Sequence, residues 1–309
     1  MSTKGASPTS KRTTTRRATT AGTGATKKVD RSSTKATAVA RARTSGRPKT
    51  AASKHPYTLA IDIGGTGLKA SVLDRNGEMV ADRVRTDTVY PMAPDGDGGM
   101  VPTLAKLVST LPDADRVSAG FPGMVRMGRI LSAPHFVTTR GPGSALDPEL
   151  AEAWSRFDLA GALARTLGKP TKVANDADVQ GAAVVQGEGL EFVITLGTGF
   201  GTALFLDGQL LPHLEIAHQP FRKGDSYNDQ LGERIRKDIG DRRWNRRVKK
   251  AIATLDAMLF FDHLYIGGGN ARRVKRDDLG KFLERTTVVD NAAGILGGIK
   301  LWEGNHLGL

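Results

Sequence analysis

Two stretches of fifteen residues, Leu59–Leu73 (LAIDIGGTGLKASVL) and Phe192–Leu206 (FVITLGTGFGTALFL), follow one plan. In each, an apolar run enters a glycine-rich turn and a second apolar run leaves it, which predicts a β-hairpin whose strands are buried in a sheet. The turns read Gly64-Gly65-Thr66-Gly67 and Gly197-Thr198-Gly199-Phe200-Gly201. Glycine lets backbone approach an anion with no Cβ in the way and adopts positive φ cheaply, so both tips are candidate phosphate cradles. Asp62, just before the first tip, is placed to hold a hydrated Mg2+ against the same phosphates. Lys69 is the only cation of its stretch. For one stretch alone, an ordinary hairpin with a solvated Asp explains as much. The recurrence favours the other reading, as does a third glycine run, Gly267-Gly268-Gly269-Asn270, which follows the apolar Tyr265-Ile266. Three strand-to-glycine junctions describe an anion-binding α/β protein.

Charge excludes less than its total suggests. The chain has 45 Lys/Arg against 32 Asp/Glu, but residues 1–55 hold fourteen of the cations and a single acid, Asp30, leaving thirty-one of each sign in the rest. The body is neutral and carries a basic tail. That tail is Ser, Thr, Ala, Gly, Lys and Arg with too little apolar surface for a core, so disorder is expected over 1–55. It resembles a transit peptide in composition and has no apolar segment of the secretory kind. It reads either as a solvated solubility tail or as an arm that binds polyanions (DNA, RNA or polyphosphate) without sequence preference. The chain has no cysteine, which excludes disulfides and thiolate metal sites and suits a cytoplasmic protein. No apolar run approaches a membrane span in length, so no membrane partner is expected.

Between the hairpins, Met79–Thr86 predicts a short strand, Pro91–Gly99 a loop, and Met100–Leu111 a helix with apolar residues at helical spacing. Arg116–Gly120 runs as a buried strand into the turn Phe121-Pro122-Gly123, the kind of strand-end loop where α/β proteins grip ligands. Ser132–Trp154 reads as irregular. Phe157–Leu167 is a helix beginning near Asp158, and Lys172–Ala174 a strand delivering Asn175-Asp176-Ala177-Asp178, with a helix continuing over Val179–Gln186. A carboxylate placed there is either a helix N-cap or a general base aimed into a cleft. Further on, Arg234–Lys250 carries nine Lys/Arg and Trp244. It is either a solvated helical face or a track for a long anionic donor, with Arg242, Arg243, Arg246 and Arg247 as its contacts. Ala251–Leu259 predicts an apolar helix, Phe260–Ile266 a strand, and Asn291–Trp302 a closing helix.

The three glycine junctions in this order resemble the sugar-kinase, Hsp70 and actin superfamily. The series DIGGTGLK, FPG, NDAD, LGTGFGTA, LEIAH and IGGGN is similar to the ROK family of bacterial sugar kinases, and within it to the polyphosphate-dependent glucokinases. The similarity covers nearly all of residues 57–303. It implies an α/β, two-domain actin-like (ribonuclease H-like) fold with a cleft between the domains. One domain would span 56–174, joined by the closing helix at 290–309, and the other 175–289. It implies transfer of a phosphoryl group from polyphosphate and/or ATP to the 6-hydroxyl of a hexose, most of all glucose. Asp176 becomes the base, while Asn175, Glu215, His218, Gly123 and His135 become sugar-site residues. Gly64, Gly65, Thr66, Gly67, Lys69, Gly197, Thr198, Gly199, Gly201, Gly267, Gly268 and Gly269 become donor-site residues. Mg2+ at Asp62, no zinc, a cytoplasmic location and a homodimer complete the expectation.

Three departures from the family pattern stand out. The cysteine cluster that binds zinc is replaced by Gln219–Gly224, so His218 reads as a sugar or structural residue rather than a metal ligand. The ExGH element reads Glu215-Ile216-Ala217-His218. His135 stands where many relatives have a sugar-binding Asn. The family also contains sugar-sensing repressors, but their winged helix-turn-helix needs apolar periodicity that residues 1–55 lack. A kinase tethered to nucleic acid through the tail is the other alternative.

Overall fold

The computed structural model describes residues 56–289, 293–303, 306 and 309. The tail expected at 1–55 and the first residues of the closing segment lie outside these. Strand β1 (Thr58–Ile63) and strand β2 (Gly67–Leu73) are the first hairpin, with Asp62 opposite Lys69. The strand expected over Met79–Thr86 forms at its far end, as β3 (Val84–Asp87) on the outer edge of β2, while Met79 and Val80 stay exposed. Helix α1 (Met100–Val108) covers the sheet with Met100, Val101, Leu104 and Val108. Strand β4 (Arg116–Phe121) runs parallel to β1 and sets Gly120 beside Asp62. A small hairpin, β5 (Val125–Arg126) and β6 (Arg129–Ile130), follows.

The stretch read as irregular contains a helix, α2 (Pro148–Trp154). Its start signal is Asp-Pro-Glu: the Asp147 carboxylate accepts the N–H groups of Glu149 and Leu150, and Pro148 occupies a first-turn position that needs no donor. Trp154 is buried and donates its Nε1–H to the Met92 carbonyl at 2.9 Å. Helix α3 (Leu159–Leu167) begins at its Asp158 cap and ends at Gly168, which is left-handed. Strand β7 (Thr171–Asn175) pairs parallel to β4 and completes the sheet order β3-β2-β1-β4-β7.

Helix α4 (Asp176–Ala182) starts three residues before the expected Val179 and stops short of Gln186. The buried Glu191 carboxylate explains the early stop. It accepts N–H groups from Gln186, Gly187 and Glu188, winding those residues around itself instead of into the helix.

The second half repeats the first. Strands β8 (Leu190–Leu196) and β9 (Phe200–Leu206) form the second hairpin, and β10 (Gln209–Leu210) extends β9. A minor pair, β11 (Pro220–Arg222) and β12 (Asp225–Ser226), leads into helices α5 (Tyr227–Leu231), α6 (Glu233–Ile239) and α7 (Asp241–Leu259). The basic stretch is thus split at Gly240 (φ +77°): Arg234, Arg236 and Lys237 lie on α6, and the part from Arg242 to Lys250 runs on into the apolar helix expected after it as the single helix α7. Strands β13 (His263–Gly267) and β14 (Thr286–Val288) add in parallel beside β8, giving the order β10-β9-β8-β13-β14. Each sheet is therefore an edge strand, a glycine hairpin and two parallel strands. In the closing segment the described residues form helix α8 (Ala293–Lys300), which ends two residues before the expected Trp302.

Helix α4 touches both sheets. A Cβ on Gly120 of β4 would lie 3.5 Å from the Asp176 Cα and 3.6 Å from Val179, and one on Gly181 would meet Phe205 of β9 at 2.7 Å. On another side, Gly297 of α8 approaches the Val179 carbonyl so closely that a Cβ has no room.

Candidate active site

The site is assembled at the carboxyl ends of β1, β4 and β7, where α/β sheets bind ligands. Ile61, Asp62, Gly120, Asp176, Val179 and Gln180 line a small, partly open cavity. Asp176 is the first residue of α4, but the N-cap is Asn175, whose Oδ1 accepts the Ala177 N–H at 2.8 Å. The Asn175 Nδ2 donates to the carbonyls of Gly123 (3.0 Å) and Phe121 (3.4 Å). Its amide is thereby committed to the protein, and it ties the Gly123 turn to the start of α4. Gly123 has no room for a side chain, because a Cβ would strike the Ser132 carbonyl.

Asn175 is the cap, and Asp176 Oδ1 accepts the same Ala177 N–H at 2.9 Å, so one carboxylate oxygen is engaged at the helix start while the group also lines the cavity. Burial pushes its pKa up to about 6; Asp62 and Asp178 add to the rise, while the Ala177 N–H and His213 oppose it. A carboxylate so tuned is ionised near neutrality yet basic enough to take a proton. Asp62 forms an ion pair with Lys69 at 3.0 Å, both side chains part-exposed. Among the described residues no group of three or more His, Asp or Glu converges as a metal cage. Mg2+ does not ask for one, since it keeps its waters and takes one or two carboxylates plus phosphate oxygens. Asp62, an oxygen donor facing the cavity beside Asp176, fits that demand.

The two hairpin tips are held by the same device. The Gly64 carbonyl accepts from Thr88 Oγ1 (2.7 Å) and the Gly65 carbonyl from Tyr90 Oη (2.8 Å). In a planar trans peptide the N–H points opposite to the carbonyl, so the N–H groups of Gly65 and Thr66 face away from these anchors. At the second tip the Gly197 carbonyl accepts from the Glu233 N–H (3.0 Å) and from Asn270 Nδ2 (3.2 Å), and the Thr198 carbonyl accepts from the same N–H at 3.3 Å. The N–H groups of Thr198 and Gly199 are turned outward in the same way. Asn228 Oδ1 accepts the Phe200 N–H (3.0 Å) and sits where a Gly199 Cβ would be. Gly201 packs on Thr195 and Ala177. In the third run, Gly268 has φ +84° and a Cβ there would meet backbone atoms of Leu196 at 2.5–2.8 Å, so it seats the run on the second hairpin. Gly267 and Gly269 have looser surroundings.

The sugar-site candidates converge nearby. His135 lies under the first tip, with its Nδ1 2.8 Å from where a Gly65 Cβ would stand. That nitrogen is buried without a hydrogen-bond partner. Burial, and then the proximity of His218, lower the His135 pKa. Glu215 lies within electrostatic reach of Asp178 and His213. The four arginines are different: none lines the cavity. On a helix turning roughly 100° per residue, Arg242, Arg243, Arg246, Arg247, Lys249 and Lys250 form one continuous band on α7. Trp244, Asn245, Val248, Ala251, Ile252 and Leu255 form its buried face. Trp244 is a core residue whose Nε1–H donates to the Leu231 carbonyl at 2.8 Å. Arg236 is locked by Glu233 (3.0 Å) and Asp241 (2.6 Å) and belongs to the scaffold.

Residues that sequence reasoning passed over are the anchors: Thr88, Tyr90, Asn228, Glu233 and Asn270 for the hairpins, and His213 for Asp178. Asn270 alone carried a signal, standing directly after the third glycine run.

A family model described as the ROK family matches residues 58–213. The polyphosphate glucokinase of Mycobacterium tuberculosis (strain CDC 1551 / Oshkosh) is 26% identical over 270 residues, covering 82% of this chain and 93% of that protein. The crystal structure of an inorganic polyphosphate/ATP-glucomannokinase from Arthrobacter sp. strain KM superposes with a TM-score of 0.62 at 26% identity, over 81% of this chain and 99% of the other. A ROK family transcriptional regulator, a homolog of the E. coli MLC protein, shares the fold at a TM-score of 0.61 and 15% identity, over 79% of this chain and 77% of its own.

Proposed function

The chain belongs to the ROK family, and from that premise we propose that it is a hexose kinase moving a phosphoryl group from polyphosphate and/or ATP to a sugar 6-hydroxyl, glucose most of all. A sugar kinase is what the polyphosphate glucokinase and glucomannokinase similarities support. The observation that carries the reading is Asp176: a carboxylate just past the Asn175 N-cap, tuned upward to about 6, and facing a cavity beside Asp62. On this reading Glu215, His218 and His135 orient the sugar, and Asn175 with Gly123 shapes the floor beneath it. Asp176 accepts the 6-hydroxyl proton as that oxygen attacks the terminal phosphorus, and the shortened donor leaves. The outward N–H groups of the two tips and Lys69 hold donor phosphates in line. Positioning and electrostatics supply most of such a catalyst's power. Asp62 would hold Mg2+, which supplies charge neutralisation on those phosphates when bound.

The two sheets and their hairpins act as two domains around the site, divided near residue 174, with the closing helix returning to the first. A cytoplasmic homodimer is the form this reading carries. The test is a matrix of purified full-length chain against glucose, mannose and other hexoses, each with ATP and with polyphosphate, reading sugar phosphate formed. Turnover with glucose is the expected result; none with any pair would remove the kinase reading. The regulator similarity, at 15% identity, speaks for the fold alone. A salt-resistant, sequence-specific gel shift by the full chain would reopen it.

A further inference from the structure

We propose that Asp178 and His213 are a positioning pair that fixes the helix carrying Asp176 to the loop carrying Glu215 and His218, so that base and sugar ligands keep one register. The inference rests on the kinase reading and names residues that reading does not use. His213 Nδ1 and Asp178 Oδ1 are 3.0 Å apart, and each side chain is only 4% exposed. A buried histidine–carboxylate pair costs desolvation on both sides, and a fold stabilised by burial alone would do as well with apolar residues there. The elements it joins explain its presence.

Asp178 is the third residue of α4, two residues past the base and three past the Asn175 N-cap. His213 is the third residue of the loop after β10, two residues before Glu215. The rest of that loop is tied elsewhere: the Leu214 carbonyl accepts from Thr202 Oγ1 of β9 at 2.9 Å, and the Ala217 carbonyl from the Asn228 N–H at 2.9 Å. Those contacts hold the loop to the second sheet and α5, whereas the His213–Asp178 bond carries it to α4. The imidazole faces Asp178 and Asp176 from α4 and Glu215 from its own loop. Burial alone would lower its pKa, but those three carboxylates outweigh burial and hold it above the ordinary value.

An Asn at 213 places its amide nitrogen where Nδ1 stands and keeps the bond; a Gln keeps bulk and polarity but moves the donor one methylene further. The experiment compares wild type, His213→Asn and His213→Gln, all full length. It measures kcat, the KM for glucose and the KM for the better donor, beside the melting temperature. The expected result is a roughly 10–100-fold loss in kcat/KM for glucose in the Gln variant, with donor KM within about twofold, since misplacement near 1 Å has costs of that size. The Asn variant should stay within about threefold of wild type. A merely structural pair would lower the melting temperature without this split, and His213→Asn and His213→Gln that behave alike in an active enzyme would overturn the proposal. Wild type that phosphorylates no sugar would overturn the kinase reading and the pair's role together. If His213→Gln does not fold, Asp178→Asn, which keeps an acceptor for the imidazole but removes the charge, takes its place. Loss of donor and glucose affinity in equal measure would then overturn the pair's role.

Discussion

At the scale of residues, the site places an ionisable group where the fold would be better off without its charge. The folded-state pKa of Asp176, about 6, lies above the roughly 4 of an unfolded Asp. The folded chain therefore holds the extra proton between those values, and stability falls as pH rises from about 4 through 6. Above that window the penalty is full, on the order of 2–3 kcal/mol. Asp176→Asn should accordingly melt higher than wild type at pH 8, with the advantage gone by pH 4, while kcat drops by about 10²–10⁴. A variant that is less stable at pH 8 would mean that Asp176 supports the fold. The same pKa predicts an acid limb in kcat/KM for the sugar near pH 6, activity falling below it as the base is protonated. A limb near pH 4 would show an unperturbed carboxylate in charge.

At the scale of elements, the hairpins present their N–H groups because their carbonyls are tied from behind. Thr88→Val or Asn270→Ala frees one anchor and should raise the donor KM severalfold while leaving the sugar KM nearly unchanged, as expected when one neutral hydrogen bond of about 1 kcal/mol is lost. Equal effects on both substrates would assign the anchors to the fold at large. For the band on α7, changing Arg242 with Arg246, or Arg243 with Arg247, to Gln should raise the KM for long polyphosphate more than for ATP, and added salt should narrow the gap. Identical effects on both donors would place the band outside the donor path.

Much of this was legible in the chain. The hairpins at Leu59–Leu73 and Phe192–Leu206 appear as read, and the strand expected over Lys172–Ala174 forms one residue longer at each end, as Thr171–Asn175. Their signals are local: apolar runs interrupted by glycine. The early end of α4 was not legible, because it depends on Glu191 capturing N–H groups three to five residues back. Helix α2 was overlooked although Asp147-Pro148 marks its start, since the glycines ahead of it dominated the reading. Nor could the anchors be seen: Thr88 reaches Gly64 across 24 residues and Asn270 reaches Gly197 across 73. Polar side chains of that kind carry no periodicity, and only the folded topology brings them to their carbonyls.

At the scale of the whole molecule, α4 is where the two sheets meet, and its neighbours there are glycines. Gly297→Ala would drive a methyl into the Val179 carbonyl, and backbone cannot yield as a side-chain tip does. The variant should lose about 1–3 kcal/mol, the usual cost of overpacking, read as a lower melting temperature; an unchanged one would show that α8 shifts freely. The deeper consequence concerns mechanical play. Side chains at a contact act as compliant padding, each able to change rotamer and absorb a small displacement. Where backbone meets backbone, as at Gly120 of the first sheet and Asp176, or where backbone meets a buried ring, as at Gly181 and Phe205 of the second sheet, that padding is thin. A slip of either sheet is then handed on with little loss to the helix and to the carboxylate at its first residue. The acceptor of the proton is thus geared to both halves of the molecule, with little backlash between them.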